Sequence, residues 1–160
     1  MNKLARAMAV IDKCPSSMRI WLRSAIIGRI IPFAGTASSR FIELNNHTCV
    51  VAIRNKRKVG NHIGTLHAAA MALAAESATG FVMGINVPDD KLVVIKTMKL
   101  NYLKRTNGDL TATATLTDAH IKNILNDEKG EITVPVVLRD ADNNETVTAE
   151  MTWAWTPKRR

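Results

Sequence analysis

The 160 residues carry 46% hydrophobic and 22% charged side chains, an ordinary globular balance with enough length for one core. No apolar run approaches the roughly 18 residues of a membrane span, and Cys14 and Cys49 make no metal-ligand spacing, so two free thiols in a reducing cytosol are expected. The net charge of +8 suits an anionic partner or plain solubility, while 4% aromatic residues offer few stacking platforms for nucleic acid.

Leu4, Met8 and Ile11 form a short apolar stripe that predicts a first helix, broken at Cys14-Pro15. Ser16 or Ser17 is placed to cap a second helix carrying Trp21, Leu22, Ile26, Ile27 and Ile30, decorated by Arg19, Arg23 and Arg29 and stopped by Pro32. Basic amphipathic helices can lie on membranes; packing against a sheet or over a pocket is the expected role here. Asp12 and Lys13 interrupt the early apolar stretch and no small-residue cleavage site follows, so it is not read as a signal peptide.

From Ser38 the period becomes two. Residues 40–45 and 48–54 predict a hairpin around Asn46-His47, and residues 91–104 a strand long enough to twist. Leu110, Ala112, Ala114 and Leu116 alternate with threonines, and Ile132, Val134, Val136 and Leu138 repeat the pattern, with Pro135 hinting at an edge or bulge. After a turn over residues 140–144, Val147, Ala149, Met151, Trp153 and Trp155 mark the last strand. His47 falls in a turn and His120 in a loop. Between hairpin and long strand, Ala68 to Gly80 predicts an alanine-rich helix entered from the polar loop Asn61–Leu66. The economical solution is an α+β domain: a six-stranded antiparallel sheet packed on one central helix. The chain then reads as a single domain over 1–160, with a helical segment at 1–31 and a core at 32–156.

This arrangement resembles the hotdog fold, and the central segment resembles the phenylacetyl-CoA thioesterase-like branch of the hotdog thioesterase superfamily. That branch has an Asn and Gly loop, then His-Gly-Gly, then an acid nine positions after the His; Asn61, Gly64, His67 and Glu76 fall at those places. Residues 99–104 resemble the strand that follows. Pro32-Phe33-Ala34-Gly35, Asn61 to Ala69 and Ala75-Glu76 resemble a poorly characterised hotdog family grouped with thioesterases. Ala68 and Ala69 depart from the pattern by replacing its two glycines, which keeps the backbone N–H groups but adds two methyls.

The resemblance implies an acyl-CoA thioesterase, and the residues supply candidate parts. The N–H groups of His67, Ala68 and Ala69 at the helix start are the expected oxyanion donors. Glu76 is the sole acid between Glu43 and Asp89 and the expected general base, with its pKa raised by desolvation. Nine helical residues rise about 13.5 Å, so Glu76 cannot reach a carbonyl held at its own helix start, and a two-fold dimer with shared sites is required. Asn61 orients a water or holds the loop with Gly64, and His62 is a candidate substrate contact. Phe81 and Met83 are candidate acyl-pocket walls. Arg54, Lys56, Arg57 and Lys58, with Lys104 and Arg105, are candidate holders of the nucleotide phosphates, while Lys158, Arg159 and Arg160 end the chain in a further basic cluster. No metal, cofactor, nucleic acid or stable membrane insertion is expected. The expected state is a cytoplasmic homodimer, with tetramers left open. The alternatives are a non-catalytic acyl-CoA or lipid-binding hotdog dimer, and a hotdog hydratase or dehydratase.

Overall fold

The computed structural model describes residues 1–158, so Arg159 and Arg160 of the basic terminus lie outside the described residues. In chain order come α1 (Lys3–Ile11), α2 (Ser16–Ile30), α3 (Pro32–Thr36), β1 (Arg40–Leu44), β2 (Thr48–Ile53), a 3-10 turn (Arg57–Val59) and α4 (Ala68–Gly84). They are followed by β3 (Lys91–Tyr102), β4 (Leu110–Thr115), α5 (Asp118–Asn126), β5 (Gly130–Val134), β6 (Val136–Asp140) and β7 (Glu145–Pro157).

The alternating segments form one antiparallel sheet in the order β1-β2-β4-β6-β7-β3, with β5 also paired to β7. The sheet has seven strands rather than six because Pro135 cannot donate to the ladder. It divides the predicted strand into β5 and β6, both still paired with β7, while its carbonyl accepts from the Thr115 N–H at 3.1 Å. This is the hotdog architecture: α4 lies across one sheet face and packs on β2, β3, β4, β6 and β7.

Small residues set the closeness of that contact. Ala74, Ala75 and Ala78 of α4 and Ala112 and Ala114 of β4 are fully buried, while Ala149 is half-buried. At Gly80 a Cβ would stand 2.7 Å from the Trp153 ring. Its absence lets the indole lie against the helix and donate to Thr79 Oγ1 at 2.9 Å.

The N-terminal helices secure the two ends of this layer. Asn2 caps α1, and its side-chain amide donates to the Gly84 and Val87 carbonyls at 2.7 and 2.6 Å, tying α1 to the end of α4. α2 covers the β1 edge. Arg23 donates to the Phe41 and Ile42 carbonyls at 3.3 and 2.9 Å, and Ser24 Oγ accepts the Phe41 N–H at 3.0 Å. These bonds occupy backbone groups that an open edge strand would otherwise offer to another chain.

Several expectations change here. Neither Ser16 nor Ser17 caps α2; Pro15 stands at that position without a side-chain bond. Arg23 is buried rather than decorative, paired with Asp12 at 2.8 Å, and α2 otherwise buries only Ile27. Pro32 opens α3 as well as closing α2, because a residue without an N–H fits the first helical turn. His120 sits in α5, a helix the loop reading overlooked: Thr117 Oγ1 accepts from the His120 N–H while His120 Nδ1 accepts from the Thr117 N–H. Its signal was Thr117 with a polar side chain three positions on, although the usual Glu or Gln is a histidine here. Cys14 and Cys49 are free thiols, and burial pushes the Cys49 thiol well up from its ordinary value. Among the described residues no helix is long and apolar enough to cross a membrane.

Candidate functional site

The loop before α4 is organised by one side chain. Asn61 Oδ1 accepts the Ile63 and Thr65 N–H groups at 3.1 and 3.0 Å, and its amide donates to Thr65 Oγ1 and the Leu66 carbonyl at 2.8 and 3.2 Å. With both ends committed, Asn61 holds the loop. Gly64 has φ +79°, a left-handed conformation that a β-carbon would strain. Asn55 donates to its carbonyl at 3.2 Å.

His67 is the N-cap of α4. Its Nδ1 accepts the Ala69 N–H at 3.1 Å, so the neutral ring carries its proton on Nε2. The His67 N–H itself donates to the Val59 carbonyl at 2.9 Å. Of the three N–H groups expected to be free, two are therefore occupied. Ala68 supplies the third, and no acceptor for its N–H is found among the described residues. The Ala68 and Ala69 methyls are exposed and crowd nothing within the protomer.

Most of α4 is buried, but Ala69, Ala72 and Glu76, spaced three or four apart, form a partly exposed stripe. Glu76 is half-buried on it. Desolvation raises its pKa above the ordinary 4.5, against a smaller opposing effect of the Ser77 hydroxyl, which donates to Glu76 Oε2 at 3.3 Å. Ala68 lies eight residues earlier, about 12 Å along the axis.

A cleft of about 190 Å³ opens between α3 and the first turns of α4, with Phe33, Thr36, Lys58, His67, Ala70 and Leu73 among its walls. Glu76 is not one of them. Larger depressions lie on the threonine face of β4 and around α1, and none touches Glu76 or the start of α4. Sequence reasoning did not find this cleft, although the Pro32–Gly35 motif held its signal.

Tyr102 was also overlooked as a site residue. From the end of β3 its hydroxyl donates to the Ala68 carbonyl at 3.0 Å, fastening the edge strand to the first turn of α4. Desolvation raises its pKa above the ordinary 10.0. Tyr102→Phe is expected to lower stability by about 0.5–1 kcal/mol, read as a shifted urea midpoint at unchanged slope; an unchanged midpoint would show that the bond carries no weight.

Comparison with known proteins places the chain. Residues 19–155 match the family described as a domain of unknown function, DUF4442. The chain belongs to DUF4442. No curated protein matches it significantly in sequence. Among solved structures, this DUF4442 member is similar to a structural-genomics protein at 26% identity and a TM-score of 0.73, over 97% of this chain and 99% of the other. A Pseudomonas aeruginosa protein, described both as of unknown function and as "Probable Thioesterase", aligns at 18% identity and a TM-score of 0.77, covering 91% and 97%. A thioesterase from Haemophilus influenzae aligns at 15% and 0.65, covering 78% and 82%. At such identities the last two establish the fold that the hotdog resemblance led one to expect.

The remaining candidates in this DUF4442 member divide sharply. Met83 is fully buried, and Phe81 packs edge-on against Phe41 with ring centroids 4.8 Å apart. Met83 belongs to the protomer's own core, while Phe81 is half-buried at its margin. Lys58 lies at the cleft and donates to Ser38 Oγ at 2.6 Å. Arg105 reaches the Ile63 carbonyl at 3.2 Å, beside the entry loop. Lys104 turns away, to Asn144 at 3.1 Å, and Arg54, Lys56, Arg57 and His62 are exposed. Lys158 reaches the Asp89 carbonyl at 2.6 Å, distant in sequence from the loop. Among the described residues no group of three His, Cys, Asp or Glu side chains is placed to hold a metal.

Proposed function

We propose that this protein is an acyl-CoA thioesterase working as a two-fold dimer, with each site shared between protomers. The observation that carries the reading is the pairing on α4 of a desolvated, half-buried Glu76 with an uncommitted Ala68 N–H, about 12 Å apart and so out of reach of one another's chemistry. Two copies of α4 laid antiparallel bring Glu76 of one to Ala68 of the other. Glu76 then takes a proton from water as the oxygen attacks the thioester carbonyl. The oxyanion is held at the Ala68 N–H and the start of the helix. Collapse breaks the C–S bond, and the thiolate leaves and is protonated. The cleft beside α3 takes part of the acyl group, and Lys58 and Arg105 are the basic residues best placed for the nucleotide phosphates.

The edge strand supports the dimer. Among the described residues β3 pairs only with β7 and exposes Leu92, Val94, Met98 and Tyr102 between Lys96, Lys99 and Asn101, an unpaired edge that can add a strand from another chain. A second reading, a dimer that binds acyl-CoA without turning it over, draws on the loss of two of the three expected oxyanion donors.

The test combines free-thiol release from acyl-CoAs of graded chain length with the mass of the protein in solution. Thiol release by a dimer is expected. Tight binding with no release would leave the second reading standing, and an active monomer would end the shared-site scheme.

A further inference from the structure

α2 is apolar outward as well as inward. Inward it buries Arg23 and Ile27 and half-buries Ile20 and Leu22; outward it turns Met18, Trp21, Ala25 and Ile26, with Ile30 at its end. Trp21 is 68% exposed, Ile30 67%, and Phe33 in the adjoining α3 64%. A helix facing only water turns charged and polar residues outward, and a contiguous aliphatic and aromatic set marks a surface that contacts something.

Charge identifies the partner. Residues 1–36 contain six basic side chains and one acid, Asp12, and Arg23 already binds that acid at 2.8 Å. Arg6 faces Asp89 at 3.8 Å. Arg29 stands within the apolar face, Arg19 beside it and Lys13 at the turn leading into α2, with no free acid among them. Tryptophan and phenylalanine amid uncompensated cations match the boundary layer of an anionic bilayer, where rings enter the headgroup region and cations meet lipid phosphates. A second copy fits poorly, because a two-fold contact would gather Arg19 and Arg29 of both copies on one face with no free acid to offset them. The open strand edge also lies elsewhere: α2 covers β1, at the opposite end of the strand order from β3.

We infer that α2 and the start of α3 form an interfacial platform that docks the protein reversibly on anionic membranes. With 15 residues, α2 is about 22 Å long and lies in the surface. Phe33 belongs both to the platform and to the cleft wall, so docking brings the cleft mouth to the bilayer.

The test needs no enzymatic activity, so its outcome is independent of the thioesterase reading. The full chain is floated with phosphatidylcholine vesicles with and without phosphatidylglycerol, while intrinsic fluorescence is recorded. Trp153 and Trp155 are 7% and 2% exposed, leaving Trp21 as the reporter. Flotation and a blue shift are expected with the anionic vesicles, and both should be lost at high salt. Arg29→Glu should weaken partitioning about tenfold or more. Trp21→Ser with Ile30→Ser should abolish it at an unchanged thermal midpoint and unchanged solution mass. No flotation with anionic vesicles, equal flotation with neutral ones, or retained flotation in both variants overturns the platform. A variant of halved solution mass would assign the face to protein contact instead.

Discussion

Glu76→Gln should lower thioester hydrolysis about a hundredfold or more, the usual scale of a general base, while raising the thermal midpoint at neutral pH. The two effects share a cause. Desolvation raises the Glu76 pKa in the folded protein above its ordinary 4.5, so at pH values between the unfolded and folded pKa the folded state holds a proton that the unfolded chain has released. Stability contributed by this group is therefore full below 4.5 and declines as pH rises through the folded value. At neutral pH the charged carboxylate sits in a half-buried place suited to its neutral form, and the Gln amide relieves that mismatch. Catalysis needs the opposite state. kcat/KM should rise with pH through the raised Glu76 value and then level off, and the ascending limb should be missing from any residual activity of the variant. Paired melting curves and pH–rate profiles check both halves. A variant as active as wild type sinks the base assignment, and one equally active but more stable would leave Glu76 a burdened surface acid.

Gly35→Ala should destabilise the protein by about 1–3 kcal/mol or more, lowering the thermal midpoint by several degrees at about 2–4 °C per kcal/mol for a chain of this size. A Cβ at Gly35 would stand 2.5 Å from the Gly28 carbonyl oxygen, with the carbon and Cα of Gly28 at 3.1 and 3.2 Å. All three atoms are backbone, so no rotamer change relieves the clash and α3 must move off α2. The intrinsic helical preference for Ala over Gly, about 1 kcal/mol, offsets only part of this. Because α3 is one wall of the cleft, its displacement should also raise KM for acyl-CoA more than it lowers kcat. An unshifted midpoint would show that the two helices adjust at little cost.

These two residues bracket what could be read before the structure. Glu76 was legible because it is a lone acid on a helix of small residues, and its environment follows from that composition. The sheet was legible for a similar reason: period-two alternation permits only one face inward, and β4 buries every second residue as expected. What resisted reading depended on partners distant in sequence. Arg23 looks like surface decoration until Asp12 and the β1 carbonyls surround it. The three N–H groups at the start of α4 look equivalent until Val59 takes the first and the His67 ring the third. Pro135 was noticed, but whether it bends a strand or divides it depends on β7 holding both pieces. α5 was overlooked because a histidine fills the place of the usual capping-box acid.

β7 also sets a timetable. It is the sole strand partner of β3 and joins it to β5 and β6, yet it is synthesised only after residues 103–144 have followed β3. Until it arrives, β3 has no neighbour on either side and α4 lacks Trp153 against Gly80. A nascent chain can form the β1–β2 hairpin early, but the pairings across the sheet are non-local and slow. Throughout that interval the long strand, with Leu92 to Ile95 unpaired, is open to other chains. The protein therefore depends on the thirteen-residue β7 to end the exposure of β3, and slow translation through residues 103–144 would prolong that exposure.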